Sequence, residues 1–201
     1  RFVIRGNSKN PLEVRIINAF NQDPDLQEAL EFSEENIKYH LEKFGIVGIH
    51  IEQVLGYYDK MAHRFLGWER SSKIVRPVMM WHDICKMDEG FYGFDQRGHP
   101  IREHPVLSSE KAEIMLNIGD ETFHRLVLHH DDHYKLYKER DRRNVKELFG
   151  ATFNGFSREE IEALVRFGYA DRYRVRPSSQ AKLIRYRELR RLFQKEMEWF
   201  V

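Results

Sequence analysis

Cys85 is the only cysteine in 201 residues, so no disulfide can close within the chain, and a reducing, intracellular compartment is the expectation. No run of 18 apolar residues is present to form a membrane-spanning helix, and a cytoplasmic protein without a membrane partner is therefore expected. An excess of one charge is missing as well. Lys+Arg 33 against Asp+Glu 32 leaves a net charge of +1, so no global field favours nucleic acid or membrane, and any basic surface is local. There is no internal repeat and no low-complexity segment. Outside the first four residues, alternating runs and β-branched clusters are too few to build a sheet. The chain opens Arg1-Phe2-Val3 without an initiator Met, and a trimmed chain or a piece of a longer protein is expected.

What remains is helical periodicity, and the expected fold class is all-α, a bundle of about seven to nine helices around one core. The pattern predicts helices over 12–22 and 25–44, broken at Asp23-Pro24, then a long helix over 49–66 with Val47, Ile51, Val54, Tyr58, Met61 and Phe65 as its core stripe. Pro77 is read as the first-turn residue of a helix over 77–87. Residues 88–104 form a glycine-punctuated aromatic loop, expected to fold as a short hairpin. A helix follows over 106–117, opened by Pro105, and Asp120 caps another over 121–130. Ser157-Arg158-Glu159-Glu160 has the spacing of a capping box and starts a helix to about 172. A last amphipathic helix, 178–199, carries Lys182, Arg185, Arg187, Arg190, Arg191 and Lys195. The expected organisation is an N-terminal helical extension (1–45), a metal-binding catalytic domain (46–176) and a basic C-terminal helix (177–201) packed on that domain.

Ten histidines are many for this length, and five lie between His99 and His130, which points to metal chemistry. His82 and Asp83 are adjacent inside an apolar run, where an unpartnered carboxylate costs several kcal/mol and a divalent cation satisfies both side chains at once. At about 100° per residue, His50 lies about 80° from the centre of its helix's apolar stripe, whereas His63 falls roughly opposite it. Phe123, Leu126, Val127 and His130 share one helical face, with His129 a step around. Taken alone, His130 is more often a hydrogen-bonded core histidine than a ligand. Asp171 continues the apolar face of Ile161, Leu164, Val165 and Gly168, as a ligand or as the partner of Arg172, Arg174 or another arginine. His104 precedes a proline, which biases it toward extended backbone at the mouth of the next helix, a posture for a ligand, a substrate contact or a plain loop residue. Cys85 reads as an apolar filler. Lys86 reads either as a phosphate contact or as a helix-end lysine favoured by the helix dipole. His40, His99, His124 and His133 carry no positional argument of this strength.

With His50, the pair His82-Asp83, His104, His129-His130 and Asp171 in this order, the chain resembles the HD-domain superfamily of metal-dependent phosphohydrolases. The family's minimal signature, His, His-Asp, Asp, fits His50, His82, Asp83 and Asp171, and Lys86 fits the lysine of its frequent His-Asp-x-x-Lys form. Members with two metals, such as HD-GYP cyclic-dinucleotide phosphodiesterases and phosphonate-cleaving di-iron oxygenases, add histidines at places matching His104 and His130, with His129 beside it. The passage from Phe91-Tyr92-Gly93-Phe94 through His104-Pro105-Val106 to Lys111-Ala112 also looks like the HD domains of bacterial tRNA nucleotidyltransferases. The resemblance covers about 46 to 172. Cys85 stands where the family usually has Gly, and no Gly-Tyr-Pro follows, which counts against the cyclic-dinucleotide subgroup.

The resemblance implies that His50, His82, Asp83 and Asp171 hold a first divalent transition metal, with Asp83 bridging to a second held by His104 and His130. Mn, Fe, Co, Ni and Zn all suit such ligands. It further implies hydroxide formed at the cations attacking phosphorus, with Asp83 and Lys86 as catalytic residues and Lys86, Arg140, Arg142 or Arg143 clamping the phosphate. The expected substrate is a phosphate-bearing small molecule, a nucleotide, or an RNA end. The aromatic loop at Phe91, Tyr92 and Phe94 either stacks on a base, covers the site or packs on the core. Two other functions use the same residues. One is a di-iron oxygenase; the other is an RNA-binding module with a structural metal site and a local basic surface on helix 178–199, whose interleaved Glu188, Glu196 and Glu198 favour a solvated face instead.

Overall fold

Local chemistry sets the first two helices. Asn10 caps α1 (Pro11–Gln22) by accepting from the amides of Leu12 and Glu13, while Pro11 occupies the first turn, where its missing N–H costs nothing. Asp23 ends α1 and caps α2 (Pro24–Glu31) through the amides of Asp25 and Leu26. In this computed structural model the described residues are 1–6, 9–33, 35, 45–62, 68–132 and 150–173, with backbone alone at 68–72, 169, 172 and 173. Helix 178–199, Arg140, Arg142, Arg143, His40, His63 and His133 lie outside them.

The helix expected over 25–44 ends instead at Glu31. Phe32 turns to extended backbone and its carbonyl accepts from Val47 N, while Ser33 and Ile46 form an isolated β-bridge. α3 (Val47–Ala62) follows, with Val47, Ile51, Val54, Tyr58 and Met61 buried as the periodicity predicts. Its Gly48 lies against α2. A Cβ there would sit 2.9 Å from the Leu30 carbonyl oxygen and 2.7 Å from the Phe2 ring, so no larger residue fits without a shift of backbone.

α4 (Trp68–Trp81) departs most from the sequence reading, because Pro77 lies inside it and not at its start. A proline in a helix leaves the carbonyl four residues back without its donor. Here that carbonyl, Lys73 O, accepts from the Asn10 side-chain amide at 3.1 Å, so a residue 63 positions away makes an internal proline tolerable. α4 packs against α1, α3, α6 and α7 and is the central element of the bundle.

After Trp81 the α-helical pattern gives way to successive i→i−3 bonds: Ile84 N to Trp81 O, Lys86 N to Asp83 O and Asp88 N to Cys85 O. His82 and Asp83 therefore stand at the end of the central helix rather than within it. A short 3₁₀ turn (Glu89–Tyr92) leads into the expected hairpin-like loop. There Phe94 and Pro100 form an isolated bridge and the Asp95 carboxylate accepts from the amides of Arg97 and His99. α5 (His104–Leu116), α6 (Glu121–Leu128, capped by Asp120) and α7 (Arg158–Tyr173) complete the order. The capping box is formed as read: Ser157 N donates to Glu160 Oε2 at 2.8 Å, and Glu160 N donates to Ser157 Oγ at 3.2 Å. Seven α-helices and this 3₁₀ turn, with helical backbone also at 150–152 and a 3₁₀ residue at Glu35, make up the regular structure of the described residues, which contain no strand, an all-α fold.

A single apolar cluster joins α1 and α2 (Ile16, Phe20, Leu26, Leu30) to the rest (Ile51, Tyr58, Met79, Trp81, Phe123, Phe167). Trp81 stacks on Phe20 with ring centroids 5.7 Å apart and donates its indole N–H to Ser108 O at 2.7 Å. Each such side chain contributes roughly 1.5–3 kcal/mol on burial, and the indole donor is left unpaired only at further cost. Under this core, Arg76 of α4 bonds both oxygens of Glu13 from α1 (3.0 and 3.3 Å) and reaches Asp59 of α3.

Candidate metal centre

Five elements deliver their polar side chains to one buried point. α3 contributes His50, the turn after α4 contributes His82, Asp83 and Lys86, the first residue of α5 is His104, the turn after α6 carries His130, and α7 contributes Asp171. All are at most 5% exposed.

His82 and His130 are oriented by the same device. Helix ends leave carbonyls without amide partners. The Nδ1 of His82 lies 2.8 Å from Met79 O and that of His130 lies 2.6 Å from Val127 O, each three residues back. A carbonyl oxygen only accepts, so Nδ1 carries the hydrogen and, in a neutral ring, Nε2 presents a lone pair to the site. His104 is held differently. Its backbone N–H and Nδ1 both donate to Glu89 Oε1, at 2.7 and 2.5 Å.

The Asp83 carboxylate divides these donors. Its Oδ2 faces His50 Nε2 at 2.8 Å, His82 Nε2 at 3.1 Å and Lys86 Nζ at 2.7 Å, yet accepts a well-formed hydrogen bond from none of them. Its Oδ1 faces His104 Nε2 at 3.2 Å and His130 Nε2 at 3.6 Å. The two nitrogens within each pair are also close, 3.0 Å between His50 and His82 and 3.1 Å between His104 and His130. Asp171 Oδ1 lies 3.3 Å from His50 Nε2. Phe167 closes the apolar side, its ring edge-on to His82 at 4.9 Å and to His130 at 5.6 Å.

Nitrogen lone pairs and carboxylate oxygens about 3 Å apart repel one another, and in a buried site that repulsion is large. Positive charge has to lie among them, as protons or as a metal ion. Burial opposes the charged form of both Asp83 and His104, but neighbours outweigh it. His82, Lys86, His104 and His130 hold the Asp83 carboxyl well below the usual range, and Asp83 and Glu89 raise His104 to about 10. Imidazole nitrogen with carboxylate oxygen is a donor set for divalent transition metals. His50, His82 and Asp83 form one group that could hold a metal ion, and Asp83, His104 and His130 form another.

Several sequence-derived candidates sit elsewhere. No described contact joins His129 to the cluster; its Nδ1 pairs with Asp132 at 2.7 Å and its ring is edge-on to Phe156. Cys85 is the expected filler, its thiol pushed up to about 12 by burial and so no ready thiolate ligand. His124 bridges Ser109 Oγ and Ile118 O, and His99 is exposed in the loop. Phe91, Tyr92 and Phe94 are 77%, 49% and 47% exposed, so the aromatic loop does not pack on the core.

Sequence reasoning missed Glu89, Phe167 and Asp131. Asp131 directly follows the His-His pair and was the most readable of the three; Glu89 looked like one more loop acid and Phe167 like one more core aromatic. Glu89→Ala is expected to weaken cation binding by the His104 and His130 group about 10–100-fold, because the imidazole loses the acceptor that fixes its orientation. A competitive chelator titration with Co²⁺ measures it, and affinity equal to the unaltered protein would show that Glu89 does not orient His104. No protein-family model, curated protein or solved structure matches the chain.

Proposed function

We propose that this chain is an HD-type metal-dependent phosphohydrolase that holds two divalent transition-metal ions and cleaves a phosphomonoester or phosphodiester, on a nucleotide or an RNA end. The observation that carries this reading is the single Asp83 carboxylate, with one oxygen turned to His50 and His82 and the other to His104 and His130. A carboxylate so shared could serve two cations, which would supply Lewis acidity that acidifies water and offsets the charge developing on a transferred phosphoryl group.

The chain's own residues do the rest. His82 and His130 are locked in one tautomer by Met79 O and Val127 O, and Glu89 fixes His104. Phe167 and the surrounding core keep bulk water from the ligand side, which strengthens every electrostatic contact there. Lys86 holds an ammonium 2.7 Å from Asp83 Oδ2, a positive charge beside the shared carboxylate, and its contact with a phosphate is proposed on the sequence alone. Exposed Phe91, on the turn that begins with Glu89, offers a ring face to a base, whereas the Arg102 guanidinium covers one face of the Tyr92 ring at 4.7 Å; the exposed Phe91 ring supports a nucleotide over a small phosphate ester. Arg140 and Arg143 remain proposed phosphate contacts on the sequence alone.

The test is phosphate release from a panel of nucleotides, 2′,3′-cyclic nucleotides and oligonucleotides with added Mn²⁺, comparing the unaltered protein with Asp83→Ala. Release by the unaltered protein alone is expected. Release by neither would move the reading to oxygen chemistry on the same donors or to a binding module.

A further inference from the structure

Asp131 belongs to no group considered so far, and its two oxygens face the two imidazoles that would hold the second cation. Asp131 Oδ2 lies 3.4 Å from His104 Nε2, and Oδ1 lies 3.6 Å from His130 Nε2. The same nitrogens stand 3.1 Å from each other and 3.2 and 3.6 Å from Asp83 Oδ1. Ligands about 2.0–2.1 Å from a shared ion are about 3.0 Å apart across an octahedral edge and about 3.4 Å apart across a tetrahedral one. Three of the five distances (3.1, 3.2 and 3.4 Å) fall in that interval, and the two of 3.6 Å lie just beyond it.

Exposure separates Asp131 from its companions. Its side chain is 41% exposed, whereas those of His104, His130 and Asp83 are 6%, 2% and 2% exposed. Asp131 is thus the most exposed of these four side chains. Its neighbour Asp132 is engaged elsewhere, with Nδ1 of His129.

We propose that Asp131 is a further ligand of the cation held by His104, His130 and Asp83, and the most exposed member of that set. This rests on the two-cation reading above.

Co²⁺ alone is the probe, titrated into the metal-free full chain while binding and visible absorption are followed, for the unaltered protein, Asp131→Asn and Asp132→Asn. Asp132→Asn removes the same charge one residue along without touching the proposed ligand set. The expected result is two Co²⁺ per chain for the unaltered protein. In Asp131→Asn the first ion binds as before, the second binds at least about tenfold more weakly, and the absorption band of the second ion changes; Asp132→Asn behaves like the unaltered protein. An unchanged first site also shows that Asp131→Asn is folded. If Asp131→Asn matches the unaltered protein in affinity and absorption, the inference is overturned and the two-cation reading stands. Equal weakening in both variants with unchanged absorption would mean a charge effect and would overturn the inference too. If the unaltered protein binds fewer than two Co²⁺, both readings fail.

Discussion

Asp83→Ala is expected to leave the protein with neither proposed cation and with the proposed phosphohydrolase activity lowered by about a hundred- to a thousandfold, the scale of rate lost when a source of transition-state charge stabilisation is removed. The reason is geometric. Each imidazole pair keeps its nitrogens in this variant, but both lose the carboxylate oxygen that faces them, so one substitution strikes both ligand groups. His104→Ala and His130→Ala act on one side only and are expected to lower the content from two ions to one. Elemental analysis of gel-filtered protein measures all three variants, and complete metal loss in His104→Ala or His130→Ala would argue for a single site. Asp83→Ala also leaves the Lys86 ammonium, 4% exposed, without the carboxylate 2.7 Å away. Its metal-free form is therefore expected to be less stable, and circular dichroism is needed to show that the loss of metal is not a loss of fold.

The second large effect is on stability and lies away from the site. Arg76→Met is expected to lower the unfolding free energy by about 3–5 kcal/mol, because Glu13, 0% exposed, is left as a buried carboxylate without the guanidinium that bonds both its oxygens. Replacing both partners, Glu13→Leu with Arg76→Met, is expected to recover most of that loss, since neither charge then needs a partner. Urea denaturation at fixed pH measures both. A double variant as unstable as the single one would mean that Arg76 acts through packing of its stem between α1, α3 and α4 and not through its charge. Because α4 carries His82 and Asp83 on its end, recovery of stability in the double variant is expected to bring recovery of any cation affinity that the single variant loses.

Much of the candidate site was legible in sequence because few residue types suit metal ligation. Few side chains offer a neutral nitrogen or a carboxylate, and an apolar surrounding makes any of them conspicuous, as at His82, Asp83, His130 and Asp171. Helix ends with a side-chain cap were equally legible at Asp120 and Ser157, because a cap acts within three residues of itself. Pro77 was misread by the same kind of local rule. First-turn proline is the common case, and nothing within a few residues of Pro77 shows that Asn10 supplies the donor that its ring lacks. The helix expected to run on from 25 was similarly overruled at Phe32, by a pairing with Ile46 and Val47 that local periodicity does not contain.

The sequence by itself determined the candidate ligand types, the helical class and where most helices begin, since each depends on the chemistry of one residue or on a period of a few residues. Only the tertiary structure decided which oxygen of Asp83 meets which histidines, that Glu89 and not a nearer acid fixes His104, that His129 turns to Asp132 and Phe156 while His130 turns inward, and that Asp131 faces the same two imidazoles. The reason is that these outcomes depend on where helices far apart in the chain come to lie after the core has packed. A difference of about one residue in the end of α4 or α6 would point the same side chains elsewhere.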